Sequence, residues 1–209
     1  MIYLCRHGET EFNRERRLQG RMESTLTSLG ERQAAAMADR LHDLLATDPS
    51  TDWRIVSSPL GRARATAGII GARLGLPIVI DDRLVEISVG AWEGRLASDL
   101  MQEAPDLISQ PDWLFQAPGG ERYDDLMARV GQWLAEQGEE AGRRLIVVSH
   151  GVAGRLLRGC YAGLTKAQIL GQDAPQDAVY RLRGGRLDRI ACTPMVQADR
   201  TPDGRAPTI

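Results

Sequence analysis

Two short apolar runs of this chain are each followed by the same dipeptide, His-Gly. The runs are residues 2–6 and 145–149, and the histidines that follow them are His7 and His150. The chain has only three histidines, so two of them share this setting. An imidazole can act as a nucleophile or as an acid–base group, and the guanidinium of Arg6 can bind an anion. The pattern therefore indicates chemistry on an anionic group.

Apolar runs of this length, without alternation, are typical of strands buried on both faces of a parallel sheet. Residues 53–57 form a third such run, and segments with helical patterns separate the three. In open α/β sheets, ligands bind in the crevice beyond the carboxyl ends of the strands. The alternation predicts an α/β fold of three layers, α/β/α, with a mostly parallel central sheet. We expect the two histidines to meet at one edge of that sheet.

The flanking residues predict where the helices begin. Ser28 and Glu31 have the spacing of a capping box, and Ser58-Pro59 has the pattern of an N-cap followed by proline at the first helical position. Further predictions are a strand at 78–80, helices at about 123–139 and 154–161, and a hairpin around 184–185. Residues 1–192 are predicted to form a single domain, with 96–121 as a lid-like excursion over the crevice. The tail, 193–209, is predicted to be partly disordered.

Composition excludes several classes of protein. The 209 residues carry a net charge of -2, so the chain lacks the basic field of a nucleic-acid binder. No apolar stretch approaches the roughly 20 residues of a membrane span. Three widely spaced cysteines form neither a metal-ligand spacing nor a disulfide framework. Since the first strand starts at once, no secretory signal is expected, and a cytoplasmic location is predicted.

The predicted sheet edge could support phosphoryl transfer. The helix N-terminus after residue 57, with Arg62 inside its first turn, is a candidate anion site. One imidazole could attack phosphorus while the other, protonated, stabilises the equatorial oxygens. A carboxyl group such as that of Glu86 could then give a proton to the leaving alkoxide. Each residue alone has a structural alternative. Arginine in particular says little here, because Lys166 is the only lysine among 26 basic residues.

Five blocks of the sequence, in order over about residues 1–192, resemble the histidine phosphatase superfamily, the phosphoglycerate mutase-like proteins. The blocks are Leu4-Cys5-Arg6-His7-Gly8-Glu9-Thr10-Glu11-Phe12-Asn13, Leu26-Thr27 with Gly30, 57–60 with Arg62 and Thr66, 84–94 with Glu86, and 149–151. The resemblance implies that His7 is the nucleophile and passes through a phosphohistidine. It further implies a phosphate pocket of Arg6, Arg62 and His150, Glu86 as the proton donor, lesser binding roles for Gly8, Asn13 and Gln19, and no metal or cofactor.

The acid-bearing loop favours a phosphatase over a mutase. The mutase branch resembles Glu-Arg-x-Tyr-Gly there, whereas this chain has Glu86 followed by Ile-Ser-Val-Gly. Residues 96–121 also carry several acids, which does not favour a strongly anionic substrate. We therefore expect hydrolysis of a small phosphorylated metabolite, without nucleic-acid or membrane partners. The alternatives are mutase-type transfer, a metal-dependent hydrolase and a non-catalytic phosphate-binding module. The oligomeric state stays open, with a homodimer among the options.

Overall fold

The computed structural model describes residues 1–48 and 52–193. Its sheet has six strands in the order β3-β2-β4-β1-β5-β6. The strands are β1 (Ile2–Arg6), β2 (Arg54–Ser57), β3 (Ile78–Ile80), β4 (Leu145–Ser149), β5 (Ala178–Arg183) and β6 (Arg186–Ala191). The first four strands are parallel to one another, and the β5–β6 hairpin adds two strands beside β1, with β5 antiparallel to β1. This confirms the predicted α/β class and the mostly parallel sheet.

Helices cover both faces of the sheet. They are α1 (Glu11–Arg14), α2 (Ser28–Ala46), α3 (Gly61–Leu74), α4 (Ala97–Glu103), α5 (Pro105–Ile108), α6 (Tyr123–Ala135), α7 (Gly151–Ala162) and α8 (Lys166–Leu170). Residues of α2 and α3 form one apolar core with one face of the sheet, and residues of α6 and α7 form a second core with the other. The molecule is therefore a three-layer α/β/α sandwich.

Strand β1 shows why its sequence lacks polar alternation. Ile2 and Leu4 belong to the core with α6 and α7, whereas Tyr3 and Cys5 belong to the core with α2 and α3. All four side chains are buried. Because each face of a central strand is covered by helices, both sets of side chains must be apolar.

The predicted helix start at Ser28 is confirmed, but its predicted capping residue and the predicted start of the next helix are wrong. Thr27, not Ser28, is the N-cap of α2, and its hydroxyl accepts from the amide of Gly30. That hydroxyl also donates to the carboxylate of Glu9, 2.8 Å away, so a tertiary contact selects Thr27 over its equally suitable neighbour. Helix α3 begins at Gly61 without a side-chain cap, so Ser58 does not cap it. The boundaries of α6 and α7 also differ, since α6 ends at residue 135 and α7 starts directly after His150.

The excursion over residues 96–121 is packed onto the body of the protein. It contains α4, α5 and a 3₁₀ turn at Trp113–Gln116. Leu100, Phe115 and Ala117 are buried in the same core as α6 and α7. The structure describes the chain as far as residue 193. The predicted disorder of the tail from residue 194 onwards therefore lies outside the described residues. In the described part of the chain, no helix is long and apolar enough to cross a membrane.

Candidate active site

Parallel pairing of β1 with β4 brings the two histidines together. Arg6, the last residue of β1, lies opposite Ser149, the last residue of β4. His7 and His150 therefore leave the sheet side by side, and their ring centroids are 5.2 Å apart. Each residue is 2% exposed. Residues 143 positions apart along the sequence thus share one buried site, as the edge argument predicts.

Hydrogen bonds determine which nitrogen of His7 carries the proton. Nδ1 lies 2.8 Å from the carbonyl oxygen of Gly8, which can only accept, so Nδ1 is protonated. The Nε of Arg62 donates to Nε2 of His7 over 3.2 Å, and Nε2 therefore presents a lone pair. Two further bonds from Arg62, to the carbonyl oxygens of Gly20 and Met22, hold its guanidinium in place. Nε2 is thus the unprotonated nitrogen of the ring, and its lone pair can attack once the hydrogen bond from Arg62 is released.

Ser58 orients His150. Its hydroxyl accepts from the amide of Leu60 and lies 2.7 Å from Nε2 of His150. With the Leu60 amide as its donor, the hydroxyl can give its own proton to Nε2, which places the ring proton on Nδ1. The buried Nδ1 has no partner among the described residues. An N–H group of His150 is therefore left to bind an added acceptor.

The two guanidiniums of the site lack a carboxylate partner. Arg62 is 2% exposed, and neither Arg6 nor Arg62 forms an ion pair within the described ranges. Arg6 donates to the carbonyl oxygen of Ala174 over 2.5 Å, while its buried Nε has no partner there. Burial lowers the pKa of both side chains, because each charge is removed from water without full compensation. An anion between them would supply that compensation.

The helix N-termini at this edge are occupied by the protein's own carboxylates. Both oxygens of Glu23 accept from the amide of Gly61 at the start of α3, at 3.0 Å each. The helix terminus that is predicted to bind an anion is therefore occupied by a carboxylate of the protein itself. Because Leu60 at the N-cap position cannot accept a hydrogen bond through its side chain, the terminus takes a nearby acid instead. At the start of α7, Glu86 accepts from the amides of Val152 and Ala153 at 3.1 and 2.9 Å.

The three minor candidates, Gly8, Asn13 and Gln19, differ in the contacts that they make in the structure. Gln19 lines the cleft, and its buried Nε2 has no partner in the described part of the chain. Asn13 also lines the cleft, but its side-chain oxygen already accepts from the amide of Thr10 and from Gln176. Gly8 is needed for packing: a Cβ there would lie 2.2 Å from the carbonyl oxygen of Gly30 in α2. Gln19 thus offers a buried donor without a partner among the described residues.

Two functional neighbours have little or no signal in the sequence. Thr66 accepts from the amide of Gly8 and donates to the carbonyl oxygen of Arg62. In the sequence, only its position in one of the five blocks that resemble the superfamily marks Thr66 as a candidate. Gln176 donates to the carbonyl oxygen of His7 from 169 positions away, and nothing local marks it. Both hold the backbone on which the candidate nucleophile stands.

The site opens into a cleft of about 160 Å³. Its polar lining includes Arg6, His7, Gln19, Arg62 and Glu86, and its apolar wall consists of Leu18, Ile87, Val89, Leu114 and Val152. Leu114 comes from the 96–121 excursion, which therefore forms a side wall. Within residues 1–48 and 52–193, no three His, Cys, Asp or Glu side chains converge as metal ligands. The residues together can bind an oxyanion beside a nucleophilic nitrogen, with a carboxyl group in the same cleft.

Comparison with known proteins agrees with this geometry. The sequence pattern of the histidine phosphatase superfamily (branch 1) matches residues 2–194. The chain belongs to this superfamily. Its members include enzymes that act on phosphate, which agrees with a site built from two histidines and two unpaired arginines.

Relatives of this chain bear the names of both mutases and phosphatases. The probable phosphoglycerate mutase GpmB of Salmonella paratyphi C is 37% identical over 199 residues, which are 90% of this chain and 83% of the relative. A mycobacterial glucosyl-3-phosphoglycerate phosphatase matches with a TM-score of 0.75 and 30% identity, over 92% of this chain and 98% of its own. The alpha-ribazole phosphatase of Shigella flexneri matches with a TM-score of 0.74 and 26% identity, over 95% and 98%.

The two buried histidines make the stability of this protein depend on pH. Burial and the charges of Arg6 and Arg62 lower the pKa of His7 well below 6.5, and burial and neighbouring His7 do the same for His150. Below about pH 6.5 the unfolded chain therefore binds more protons than the folded one, and the free energy of unfolding falls. Each histidine contributes up to about 1.4 kcal/mol per pH unit until its folded pKa is reached.

Urea denaturation between pH 7.5 and 5 measures this loss. We expect His7→Gln and His150→Gln each to have a shallower dependence of unfolding free energy on pH than the wild type. A slope that is the same in all three proteins would contradict the assignment of both imidazoles as neutral in the folded state.

Proposed function

We propose that this protein is a metal-independent phosphomonoester hydrolase that acts through a phosphohistidine on a small phosphorylated metabolite. One observation carries the proposal. The lone pair on Nε2 of His7 lies at a pocket with the guanidiniums of Arg6 and Arg62, neither of which forms a direct ion pair in the described part of the chain, and burial lowers the pKa of both. This arrangement suits attack on a bound, negatively charged phosphoryl group.

In the first step, Nε2 of His7 attacks phosphorus and forms a P–N bond while the P–O bond to the alcohol breaks. The electron pair of that bond leaves with the alcohol oxygen, which takes a proton from the carboxyl group of Glu86. In the second step, water attacks phosphorus and the P–N bond breaks. Glu86 accepts the proton from water, and inorganic phosphate is released with the enzyme restored.

Positive charge and N–H donors stabilise the phosphoryl oxygens in both steps. Arg6 and Arg62 provide planar forks, and the unpartnered Nδ1–H of His150 provides a further donor. Gln19 adds a neutral donor through its free Nε2. The protein holds these groups in place before the substrate binds, so the main rearrangement is exchange of the hydrogen bond from Arg62 to His7 for one to the phosphoryl group.

The donor set supports a mechanism without a metal. A cation would have to lie beside Arg6 and Arg62, whose guanidiniums repel it. The only carboxylate in the polar lining described above, Glu86, already accepts hydrogen bonds from the backbone amides of α7. A metal-dependent hydrolase is therefore the less favoured chemistry for this site.

The cleft favours hydrolysis over mutase-type transfer. A mutase must retain a substrate with two phosphate groups, which requires further unpaired cations near the first pocket. Here Ile87 and Val89 occupy the positions after Glu86, and both are 2% exposed. At the rim, Arg17 pairs with Glu15 and Arg21 pairs with Glu121. The 37% identity to a probable phosphoglycerate mutase keeps that activity as the second candidate.

Product analysis separates these functions. The purified protein is incubated with 3-phosphoglycerate and with a set of metabolite phosphomonoesters, and orthophosphate and 2-phosphoglycerate are both quantified. We expect orthophosphate release to exceed isomerisation. Faster formation of 2-phosphoglycerate would make the protein a mutase, and tight phosphate binding without turnover of any ester would make it a binding module.

A further inference from the structure

Arg129 on α6 is directed at the segment that carries Glu86. Its Nη1 donates to the carbonyl oxygens of Arg83 and Val85 at 2.7 and 2.8 Å. Its Nη2 donates to the carbonyl oxygen of Glu86 at 3.1 Å. One guanidinium thus fixes the backbone at Glu86 and just before it.

The charge of Arg129 is balanced by Glu121. Nε and Nη2 of Arg129 contact the two carboxylate oxygens of Glu121 at 2.7 and 2.9 Å, a bidentate pair. The two side chains are 16% and 11% exposed. A bidentate pair fixes the plane of the guanidinium, which keeps its other N–H groups aimed at the three carbonyls.

The segment depends on such side-chain contacts because it lies between regular elements. Residues 85–89 are neither helix nor strand. The carbonyl oxygens of residues 83 to 86 all accept hydrogen bonds from side chains. Ser149 donates to the carbonyl oxygen of Leu84, and Arg129 donates to the other three. Without Arg129, three of these four carbonyl oxygens would lose a hydrogen-bond donor that the local backbone does not replace. Glu86 would keep one donor, because Nε of Arg21 lies 3.3 Å from its carbonyl oxygen.

We propose that Arg129 is a positioning residue for the proton donor. It holds the backbone around Glu86 so that the carboxyl group stays within reach of the leaving-group oxygen, and it does not touch the substrate. This inference rests on the proposed function, since it assigns a role within that reaction. A shift of about 1 Å in a reacting group can cost about 100-fold in rate, so backbone fixing of this kind is catalytically important.

A positioning role predicts a dependence on the leaving group that a purely structural role does not. An alkoxide is a poor leaving group and needs the proton from Glu86, whereas p-nitrophenolate leaves readily without it. Loss of folded protein would instead lower the turnover of every substrate by the same factor. The ratio of the two losses therefore distinguishes the roles.

The test compares kcat/KM of Arg129→Met and Arg129→Lys for phenethyl phosphate and for p-nitrophenyl phosphate. We expect Arg129→Met to lose about 10- to 100-fold with the alkyl ester and to stay close to wild type with the aryl ester. Arg129→Lys keeps the charge but loses the fork, so its loss should be intermediate. Arg73→Met, which removes an exposed arginine paired with Asp39, is the matched control.

A double variant tests whether Arg129 acts through Glu86. In a Glu86→Gln background, Arg129→Met should have almost no further effect on the alkyl ester, because the proton donor is already lost. Equal losses for both esters, or losses that multiply in the double variant, would overturn the inference. If Arg129→Met proves unfolded by circular dichroism, Arg129→Lys in the same cycle decides between these outcomes. A wild type that hydrolyses neither these esters nor any ester of the metabolite set would instead reject the proposed function.

Discussion

Replacement of His7 by alanine is expected to lower kcat by about 10⁴-fold or more, because it removes the atom that accepts the phosphoryl group. The phosphate pocket should survive the change. Arg62 keeps its bonds to the carbonyl oxygens of Gly20 and Met22, and Arg6 keeps its bond to Ala174. Orthophosphate should therefore still bind and raise the melting temperature of the variant.

Rapid-quench experiments with a substrate labelled in its phosphate provide the measurement. Wild-type protein should give an acid-labile, base-stable label on His7, and the alanine variant should give none. His42→Ala is the matched control, since the side chain of His42 is 46% exposed on α2, outside the cleft lining. Full activity of His7→Ala, or a label on another residue, would refute the phosphohistidine mechanism.

Replacement of Glu86 by glutamine is expected to lower kcat/KM for an alkyl phosphate by about 10²- to 10⁴-fold. The amide has nearly the shape of the carboxyl group, and its oxygen can still accept from Ala153 or Val152. It cannot give a proton to an alkoxide. With p-nitrophenyl phosphate, whose leaving group needs no proton, the loss should be much smaller.

Steady-state kinetics with both esters measure this difference, and Glu103→Gln on α4 is the control because its exposed carboxylate pairs with Arg95 at the surface. Equal losses for the two substrates would show that Glu86 supports the structure of the site without donating a proton. Loss of the alkaline limb of the pH–rate profile for the alkyl ester would be a second sign of general-acid catalysis, because a general acid becomes inactive when it loses its proton.

Several features of the site are contained in short stretches of sequence. The apolar run before each histidine predicts a buried parallel strand, and parallel neighbours end at the same edge, so the meeting of His7 and His150 follows from local patterns. The glycines at 184–185 likewise mark the predicted hairpin, which the structure confirms. These signals are readable because each depends on residues within a few positions of one another.

Arginine shows where sequence patterns stop being informative. Arg62 and Arg64 lie two positions apart in the same helix, yet Arg62 is buried against His7 and Arg64 is exposed. In an arginine-rich chain, residue type alone does not distinguish them. Only the direction of each side chain from α3, set by packing of that helix against the sheet and α2, decides which one reaches the site.

The sequence by itself determined the sandwich, its sheet edge and the two histidines delivered there. Tertiary structure alone decided that Ser58 orients His150 across 92 positions, that Glu23 occupies the start of α3, and that Arg129 holds the segment of Glu86 across 43 positions. The physical reason is the separation along the sequence of the residues that interact. Strand burial and helix capping arise among near neighbours, whereas the partner of a buried donor or acceptor is whichever complementary group the folded chain brings within hydrogen-bonding distance.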